Sequence, residues 1–285
     1  MPVSPLVLLA GALLRVPARR LRALALGDES ALRDWIVNES ATRLAEARRD
    51  ARLANARLEA LGARIVPLGA PEYPAGLLDL RDPPPFLTVR GALPPRACRR
   101  EGTAIVGTRA PDKEACEVAY ALASRATPPI VSGLARGIDA AAHEGALSAG
   151  VPTYAYVGTG PGVTYPPEHR ELEERIVSSG GAVLSELLPD ESVTRWSLVR
   201  RDRLQAAHAA AIVLVQSEPA GGAMHALAAA RSLDRPRFAF APRAAGIFTG
   251  NARAIADGAA SLPWDLALAL EMLAVGATRE ERLPS

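Results

Sequence analysis

The sequence predicts an α/β fold, in which a Rossmann-like, mostly parallel sheet carries helices on both faces and follows a small helical N-terminal region. From residue 103 onward, short apolar stretches alternate with helical patterns, as in βαβ units. The 285 residues are 49% hydrophobic, which is enough to bury a full core. We therefore expect one main domain with a smaller helical appendage.

The N-terminal region begins with an apolar run from Val3 to Leu14. This run is too short to span a bilayer, and its first charge, Arg15, follows it instead of preceding it as in a signal peptide. We predict a core helix here and no contact with a membrane. A second helix is predicted from Leu44 to Leu61, where apolar residues recur every three or four positions. Its arginines, Arg48 among them, are expected to form a solvated face.

The boundary of the main domain is marked by a change in composition. Gly62 ends the second helix, and a short strand through Ile65 and Val66 follows. The Pro-rich stretch 67–95 is then predicted to be an extended connector. We place the helical N-terminal region at residues 1–64, the Rossmann-like domain at residues 65–262, and a C-terminal helix and tail at residues 263–285.

Six strands of the main domain are predicted, at residues 103–106, 130–131, 153–157, 182–184, 212–215 and 238–240. We expect the strands ending at Val106, Val131, Val157 and Val215 to lie side by side. Parallel strands end at one edge of a sheet, and ligands bind in the crevice beyond their carboxyl ends. The loops after these strands are therefore the predicted location of function.

Composition limits the kind of partner and the compartment. The net charge is only +2, so binding of nucleic acid requires a local cluster of basic residues. Aromatic residues make up 4% of the chain, which disfavours broad stacking of bases. Cys98 and Cys116 are the only cysteines and form no CxxC motif, so neither a zinc site nor a disulfide framework is predicted. We expect a cytoplasmic location, no metal and no cofactor.

The first two predicted strands end in loops of small residues with one arginine each. Glycines let the backbone approach an anion, amides at a helix start donate to it, and arginine adds a fork to phosphate oxygens. The residues of these loops that we expect to contact phosphate are Gly107, Thr108, Arg109, Ser132, Gly133, Arg136 and Gly137. Arg109 and Arg136 should converge on one crevice. The alternative is that the glycines merely make tight turns.

The third strand ends in a Gly-Thr-Gly-Pro-Gly run that begins at Gly158. Tyr165 and two prolines delay the next helix to about Glu168. A pyrophosphate would therefore not lie on a helix start, and we reject a dinucleotide fingerprint. Gly158, Gly160 and Arg170 are expected to line a wall of the crevice, although Arg170 could equally be an ordinary surface residue.

The order and spacing of these motifs resemble the DprA/Smf family of bacterial DNA-processing proteins. The most specific part is Ser-Gly-Leu-Ala-Arg-Gly-Ile-Asp at residues 132–139, between Val-Gly-Thr-Arg at 106–109 and Gly-Thr-Gly at 158–160. The match covers roughly residues 65–259. The resemblance implies a Rossmann-like fold, binding of single-stranded DNA, a homodimer, and help in loading the RecA recombinase during natural transformation and recombination.

Two motifs depart from the family pattern. Residues 198–203 read Leu-Val-Arg-Arg-Asp-Arg where the family has Phe-Pro-x-Arg-Asn-Arg, so Asp202 replaces an Asn. Residues 220–226 read Ala-Gly-Gly-Ala-Met-His-Ala where the family has Ser-Gly-Ser-x-x-Thr-Ala. Asp202 either weakens phosphate binding or pairs with a neighbouring arginine and leaves the pocket intact. The residues of these two motifs that we still expect to contact phosphate are Arg201, Arg203, Gly221 and Gly222.

Catalysis is disfavoured by the same motifs. Asp139 and His143 share a helix face with Ser132 at its start, but no Gly-x-Ser-x-Gly elbow accompanies them, and a hydrogen-bond network at the helix start is the better interpretation. A nucleotide hydrolase of the LOG type would need a carboxylate in loop 219–226, which contains none. We therefore predict a DNA-binding protein and no enzyme, with a nucleotide-binding sensor or a LOG-like hydrolase as the alternative.

Overall fold

The computed structural model describes residues 4–32, 36–94, 100–243 and 249–278. Val3, Cys98 and the chain beyond Thr278 lie outside these ranges. Within them, no helix combines the length and the apolar character needed to cross a membrane.

The described part of the N-terminal region consists of α1 (Pro5–Leu13), α2 (Ala18–Ala25) and α3 (Ala41–Ala60), with a 3-10 turn at Glu29–Leu32. The apolar run forms a core helix as predicted, because Leu8 and Leu9 are fully buried in the cluster that also holds Leu58 of α3. Arg48 is exposed, as predicted for the solvated face. Arg57 on the same helix instead pairs with Asp190, at 2.8 Å.

The main domain contains one nine-stranded sheet in the order β1-β2-β6-β5-β4-β3-β7-β8-β9. Its strands are β1 (Ala63–Pro67), β2 (Phe86–Gly91), β3 (Thr103–Val106), β4 (Ile130–Ser132), β5 (Thr153–Tyr156), β6 (Ala182–Ser185), β7 (Ala211–Leu214), β8 (Arg237–Phe240) and β9 (Ala260–Leu262). Strand β2 pairs antiparallel with β1 and β6, and all other neighbours are parallel. The prediction of a mostly parallel sheet is confirmed.

Helices cover both faces of this sheet. They are α4 (Lys113–Ala123), α5 (Ile138–Ser148), α6 (Arg170–Ser178), α7 (Arg195–His208), α8 (Ala223–Ser232), α9 (Gly250–Ala256) and α10 (Leu266–Thr278). Ile105 packs in one buried cluster with residues of α4 and α5, whereas the next residue, Val106, packs in the opposite cluster with residues of α7 and α8. Neighbouring residues of a strand point to opposite faces, so both faces are buried.

The prediction of an extended connector at 67–95 is wrong for its second half, which contains β2. The residues from Phe86 to Val89 are buried, and Thr88 pairs with Ser185 of β6. The prolines that precede β2 end at Pro85, and the next proline, Pro94, comes only after the strand has ended. An uninterrupted run of backbone donors is therefore available for pairing.

The strand order creates a switch point between β3 and β7. From β3 the chain adds β4, β5 and β6 on one side and then returns to place β7 on the other side. The predicted strands that end near Val106, Val131, Val157 and Val215 thus lie side by side in the order β5-β4-β3-β7, as expected. Loops that leave adjacent strands in opposite directions open a crevice at such a point.

Candidate nucleic-acid interface

A cavity of about 450 Å³ opens at the switch point. It lies between the loop after β3, one face of α7 and the start of α8. Its volume is in the range of about 300–1,000 Å³ that is typical of ligand sites. A smaller pocket of about 40 Å³ adjoins it and shares Arg109 and Arg201. We refer to the two together as the crevice.

Most of the residues expected to contact phosphate border the crevice. The larger cavity is lined by Gly107, Thr108, Arg109, Gly221 and Gly222, and the smaller pocket by Gly133, Arg136 and Gly158. Arg109 and Arg136 both line the smaller pocket, and both side chains are exposed. The structure therefore brings together one arginine from the loop after β3 and one from the loop after β4.

Two glycines hold these loops against each other. Gly137 has a φ of +75°, and a Cβ there would lie 2.5 Å from the carbonyl oxygen of Thr108. A Cβ at Gly107 would lie 2.5 Å from Ile138 Cγ1 at the start of α5. Only glycine permits these contacts without a shift of the chain. Gly137 thus acts through packing and positions the arginine that precedes it.

Gly133 serves a different purpose, because it leaves room for Arg201. A Cβ at Gly133 would lie 1.3 Å from Arg201 Nη1. This nitrogen donates to the carbonyl oxygen of Tyr156 at 2.9 Å, while Nε lies 3.0 Å from Asp202 Oδ1 and Nη2 lies 3.8 Å from Asp139 Oδ2. Arg201 borders the crevice but is buried, and it is held by one hydrogen bond and two ion pairs, although Nε itself makes no hydrogen bond among the described residues. Its expected contact with phosphate is replaced by a role as an anchor for α7.

Asp202 makes the pairing with a neighbouring arginine that the second of its two interpretations predicts. The carboxylate pairs with the neighbouring Arg201 at 3.0 Å and lines the larger cavity. Burial raises the pKa of Asp202, the positive charge of Arg201 lowers it, and the negative charge of Asp139 raises it. The net result is a pKa of about 7. Asp202 therefore places an acidic group in the wall of the pocket, and its effect on phosphate binding stays a prediction.

The expectation for Ser132 is wrong. Its side chain is fully buried, and the hydroxyl donates to the carbonyl oxygen of Ile105 at 2.7 Å. The Ser132 side chain therefore links β4 to β3 through a hydrogen bond and has no access to a ligand.

Asp139 and His143 form the predicted hydrogen-bond network at the start of α5. The Asp139 carboxylate accepts from the amide of Ala135, and His143 Nε2 accepts from the amide of Leu134 at 3.3 Å. His143 Nδ1 lies 2.7 Å from Thr153 Oγ1. Burial lowers the pKa of His143 to about 3, so the imidazole is neutral near pH 7 and a poor base.

Three further expected contacts lie away from the crevice. Arg203, two residues beyond Arg201, pairs with Glu186 outside the crevice, with 2.5 Å between Arg203 Nη2 and Glu186 Oε1. Gly160 is buried, and a Cβ there would lie 1.7 Å from the carbonyl oxygen of Leu188. Arg170 is exposed and begins α6. These residues border neither part of the crevice, so their expected contacts are not supported.

Arg195 is a residue of the site that the sequence motifs did not indicate. It is exposed, lines the larger cavity and is the first residue of α7. A capping box fixes this helix start, because Thr194 accepts from the amide of Ser197 and the Ser197 side chain accepts from the amide of Thr194. This Thr-x-x-Ser pattern is the signal that could have placed Arg195 at the mouth of the cavity.

Arg136 is paired with an acid in the structure. Its guanidinium donates to Glu168, and both side chains are exposed. This hydrogen bond lowers the pKa of Glu168. Exposed ion pairs contribute little to stability, so a phosphate can take the place of Glu168 without disturbing the fold.

The fold and the site define the class of protein: a Rossmann-like protein with an arginine-rimmed crevice at the switch point of its sheet. Residues 64–273 match the sequence model of the family named DNA recombination-mediator protein A. The chain belongs to this family.

Curated relatives agree with this assignment. Protein Smf of Synechocystis sp. is 34% identical over 174 residues, which cover 59% of this chain and 43% of the relative. The DNA processing protein DprA of Streptococcus pneumoniae is 32% identical over 173 residues, 59% of each chain. For the Smf protein of Borreliella burgdorferi the identity is 28% over 165 residues, 57% of this chain and 52% of the relative. The match thus spans 43% to 59% of these relatives' own length.

Two solved structures share the fold. The X-ray structure of DprA from Streptococcus pneumoniae has a TM-score of 0.78 at 24% identity and covers 96% of this chain and 98% of that one. DNA processing protein A from Helicobacter pylori, described for its single-stranded DNA binding mode, has a TM-score of 0.64 at 23% identity, covering 75% and 96%. At these identities the likeness confirms the Rossmann-like fold.

Proposed function

We propose that this chain binds single-stranded DNA in the crevice, with phosphates of the strand on Arg109, Arg136 and Arg195. The observation that carries the proposal is that three exposed arginines from three different elements border one crevice. Arginine donates a planar fork that suits phosphate oxygens. Membership of a DNA recombination-mediator family supports this ligand, as does the DNA-binding description of the Helicobacter pylori relative.

The start of α8 adds a second kind of phosphate contact. Gly222 precedes α8, and a Cβ there would meet no atom within 4 Å. A strand can therefore approach the backbone amides of this helix start closely, where the helix dipole favours an anion. A narrow crevice admits one backbone more easily than two, so single strands should bind better than duplex DNA.

Phosphate contacts should dominate binding, and the dependence of the affinity on salt concentration tests this. For single strands, log affinity should fall with log salt by roughly 0.7 per phosphate contact. Arg136→Ala is expected to weaken binding and to flatten the slope by about that amount. Arg48→Ala removes the same charge from an exposed position of α3 and should change neither quantity. The measurement is a fluorescence anisotropy titration of a labelled oligonucleotide at several salt concentrations, with mononucleotides as competitors.

An affinity that is insensitive to salt, or one lost in Arg48→Ala, would mean that the crevice is not the DNA site. The titration also compares a mononucleotide with a short oligonucleotide as competitors. If the mononucleotide displaces the labelled strand at the same concentration as the oligonucleotide does, the nucleotide-sensor alternative is favoured. The DNA recovered from the titration should be intact.

Hydrolysis of a nucleotide is the second candidate function, and one observation favours it. Loop 219–226 contains no carboxylate, but Glu218 precedes it directly and lines the larger cavity. Release of a base from the recovered strand or from a nucleoside monophosphate, lost in Glu218→Gln, would establish this activity.

The proposal extends to two protein partners. We propose that the bound strand is passed to the RecA recombinase, in line with the description of the family as a DNA recombination mediator, and that two copies of the chain act together, as the resemblance to DprA/Smf proteins implies. Faster assembly of RecA on a single strand in the presence of this protein tests the first point, and sedimentation of the purified chain tests the second.

A further inference from the structure

We propose that the larger cavity holds one nucleobase of the bound strand and selects guanine through Asp202 and Gln205. This inference rests on the proposed function, because it requires that a strand lies in the crevice. Phosphate contacts position a strand but carry no sequence information. Selection has to come from groups that reach the edge of a base.

One face of α7 lines the cavity from its mouth to its depth. Arg195 at the mouth is exposed, Leu198 and Val199 are half-buried, and Asp202 and Gln205 are 7% and 1% exposed. The helix rises by about 10.5 Å over the seven residues from Arg195 to Asp202. That span is comparable with the distance from the phosphate of one nucleotide to the far edge of its base. The apolar pair lies between these ends, where the flat face of a base would pack.

Gln205 carries the observation that points to a ligand. Its side chain lines the cavity and is buried, yet Nε2 finds no hydrogen-bond partner among the described residues. A buried donor without a partner is costly. An acceptor on a ligand at the bottom of the cavity would satisfy it.

Asp202 makes the depth of the cavity unsuited to phosphate. The buried cluster consists of two carboxylates, Asp139 and Asp202, around the single guanidinium of Arg201. It therefore has an excess of negative charge when both acids are ionised. Burial raises the pKa of Asp202, so its carboxylate gains most from further hydrogen-bond donors. Phosphate offers none, whereas a base edge does.

Guanine matches this pair of groups better than the other bases. Its N1–H and N2–H₂ groups are adjacent donors that a carboxylate can accept together, and its O6 is an acceptor beside them. Asp202 would take the two donors, and Gln205 Nε2 would donate to O6. Cytosine and adenine each place a single amino donor beside a ring acceptor, and thymine has one ring N–H between two carbonyl acceptors.

The test compares two oligonucleotides of equal length, all dT and dT with one central dG, by anisotropy titration. We expect the dG oligonucleotide to bind about tenfold more tightly. At pH 8, where the Asp202 carboxylate is mostly ionised, Asp202→Asn should bring the affinity ratio close to one, while the dT oligonucleotide binds at least as tightly because an anion has been removed. Gln205→Leu should also lower the ratio. Asp234→Asn is the matched control, since Asp234 is exposed, lies outside the crevice and has a φ of 50° that Asn tolerates.

The outcomes separate this inference from the proposed function. Salt-dependent binding of both oligonucleotides with equal affinity overturns the guanine subsite and leaves the DNA site standing. Absence of binding by both overturns the two together. A dG preference that survives in both Asp202→Asn and Gln205→Leu also overturns the assignment, whereas its loss in either variant that still binds dT supports it.

Discussion

Replacing Arg109, Arg136 and Arg195 together with alanine is expected to weaken binding of single-stranded DNA at least a hundredfold. A hydrogen bond to a charged group contributes about 1.5–3 kcal/mol, and each 1.4 kcal/mol is about tenfold in affinity. Three lost contacts should also flatten the salt slope by roughly 2.1, three times the value for one contact on a single strand. Because the three side chains are exposed, the midpoint of urea unfolding should stay close to that of the parent protein.

The matched control removes the same charge from a different surface. Arg48→Ala, Arg49→Ala and Arg52→Ala together delete three exposed arginines of α3, which lies outside the crevice. This variant should retain the affinity and the slope of the parent. If the two triple variants lose affinity equally, then binding depends on overall charge and the crevice has no special role.

Gly133→Ala is expected to destabilise the fold by about 3 kcal/mol, as for overpacking combined with disruption of a buried ion pair. The added Cβ would lie 1.3 Å from Arg201 Nη1 and 2.4 Å from Gln205 Nε2. Arg201 cannot move aside easily, because its guanidinium is held by Tyr156, Asp139 and Asp202. A lower midpoint of urea unfolding with an unchanged slope is the expected result.

Gly222→Ala is the control for this effect. A Cβ at Gly222 meets no atom within 4 Å, and its φ of −54° suits any residue. The free energy of unfolding should therefore stay within about 0.5 kcal/mol of the parent. Equal free energies of unfolding for the two variants would show that the Arg201 guanidinium does not pack directly against Gly133.

The sequence predicted the parallel core of the sheet and the edge strand β1, but it missed β2 and the other edge strand, β9. Strands such as β3 are buried on both faces and consist of uninterrupted apolar residues, which is a strong signal. Strand β2 follows a run of prolines that suggested a connector. Strand β9 has only three residues, of which two are exposed, so its pattern resembles that of a loop.

For the site, the sequence indicated the loops but not the direction of each side chain. Arg109 and Arg136 were predictable because they follow strand ends beside glycines that the backbone requires. Arg201 and Arg203 appear equivalent in the sequence, yet residues two apart on a helix face different neighbours. One anchors α7 and the other meets Glu186. Ser132 resembled a phosphate ligand, but its hydroxyl closes a gap between strands.

The position of the bound strand on the protein shows directly whether the crevice holds DNA. An oligonucleotide with a photoreactive thymine can be crosslinked to the protein, and the attached peptides can be identified by mass spectrometry. We expect crosslinks in the loops after β3 and β4 and in the first turns of α7, where Trp196 is 72% exposed. We also expect their loss in the triple variant of Arg109, Arg136 and Arg195. Crosslinks confined to α3, or unchanged in that variant, would contradict binding in the crevice.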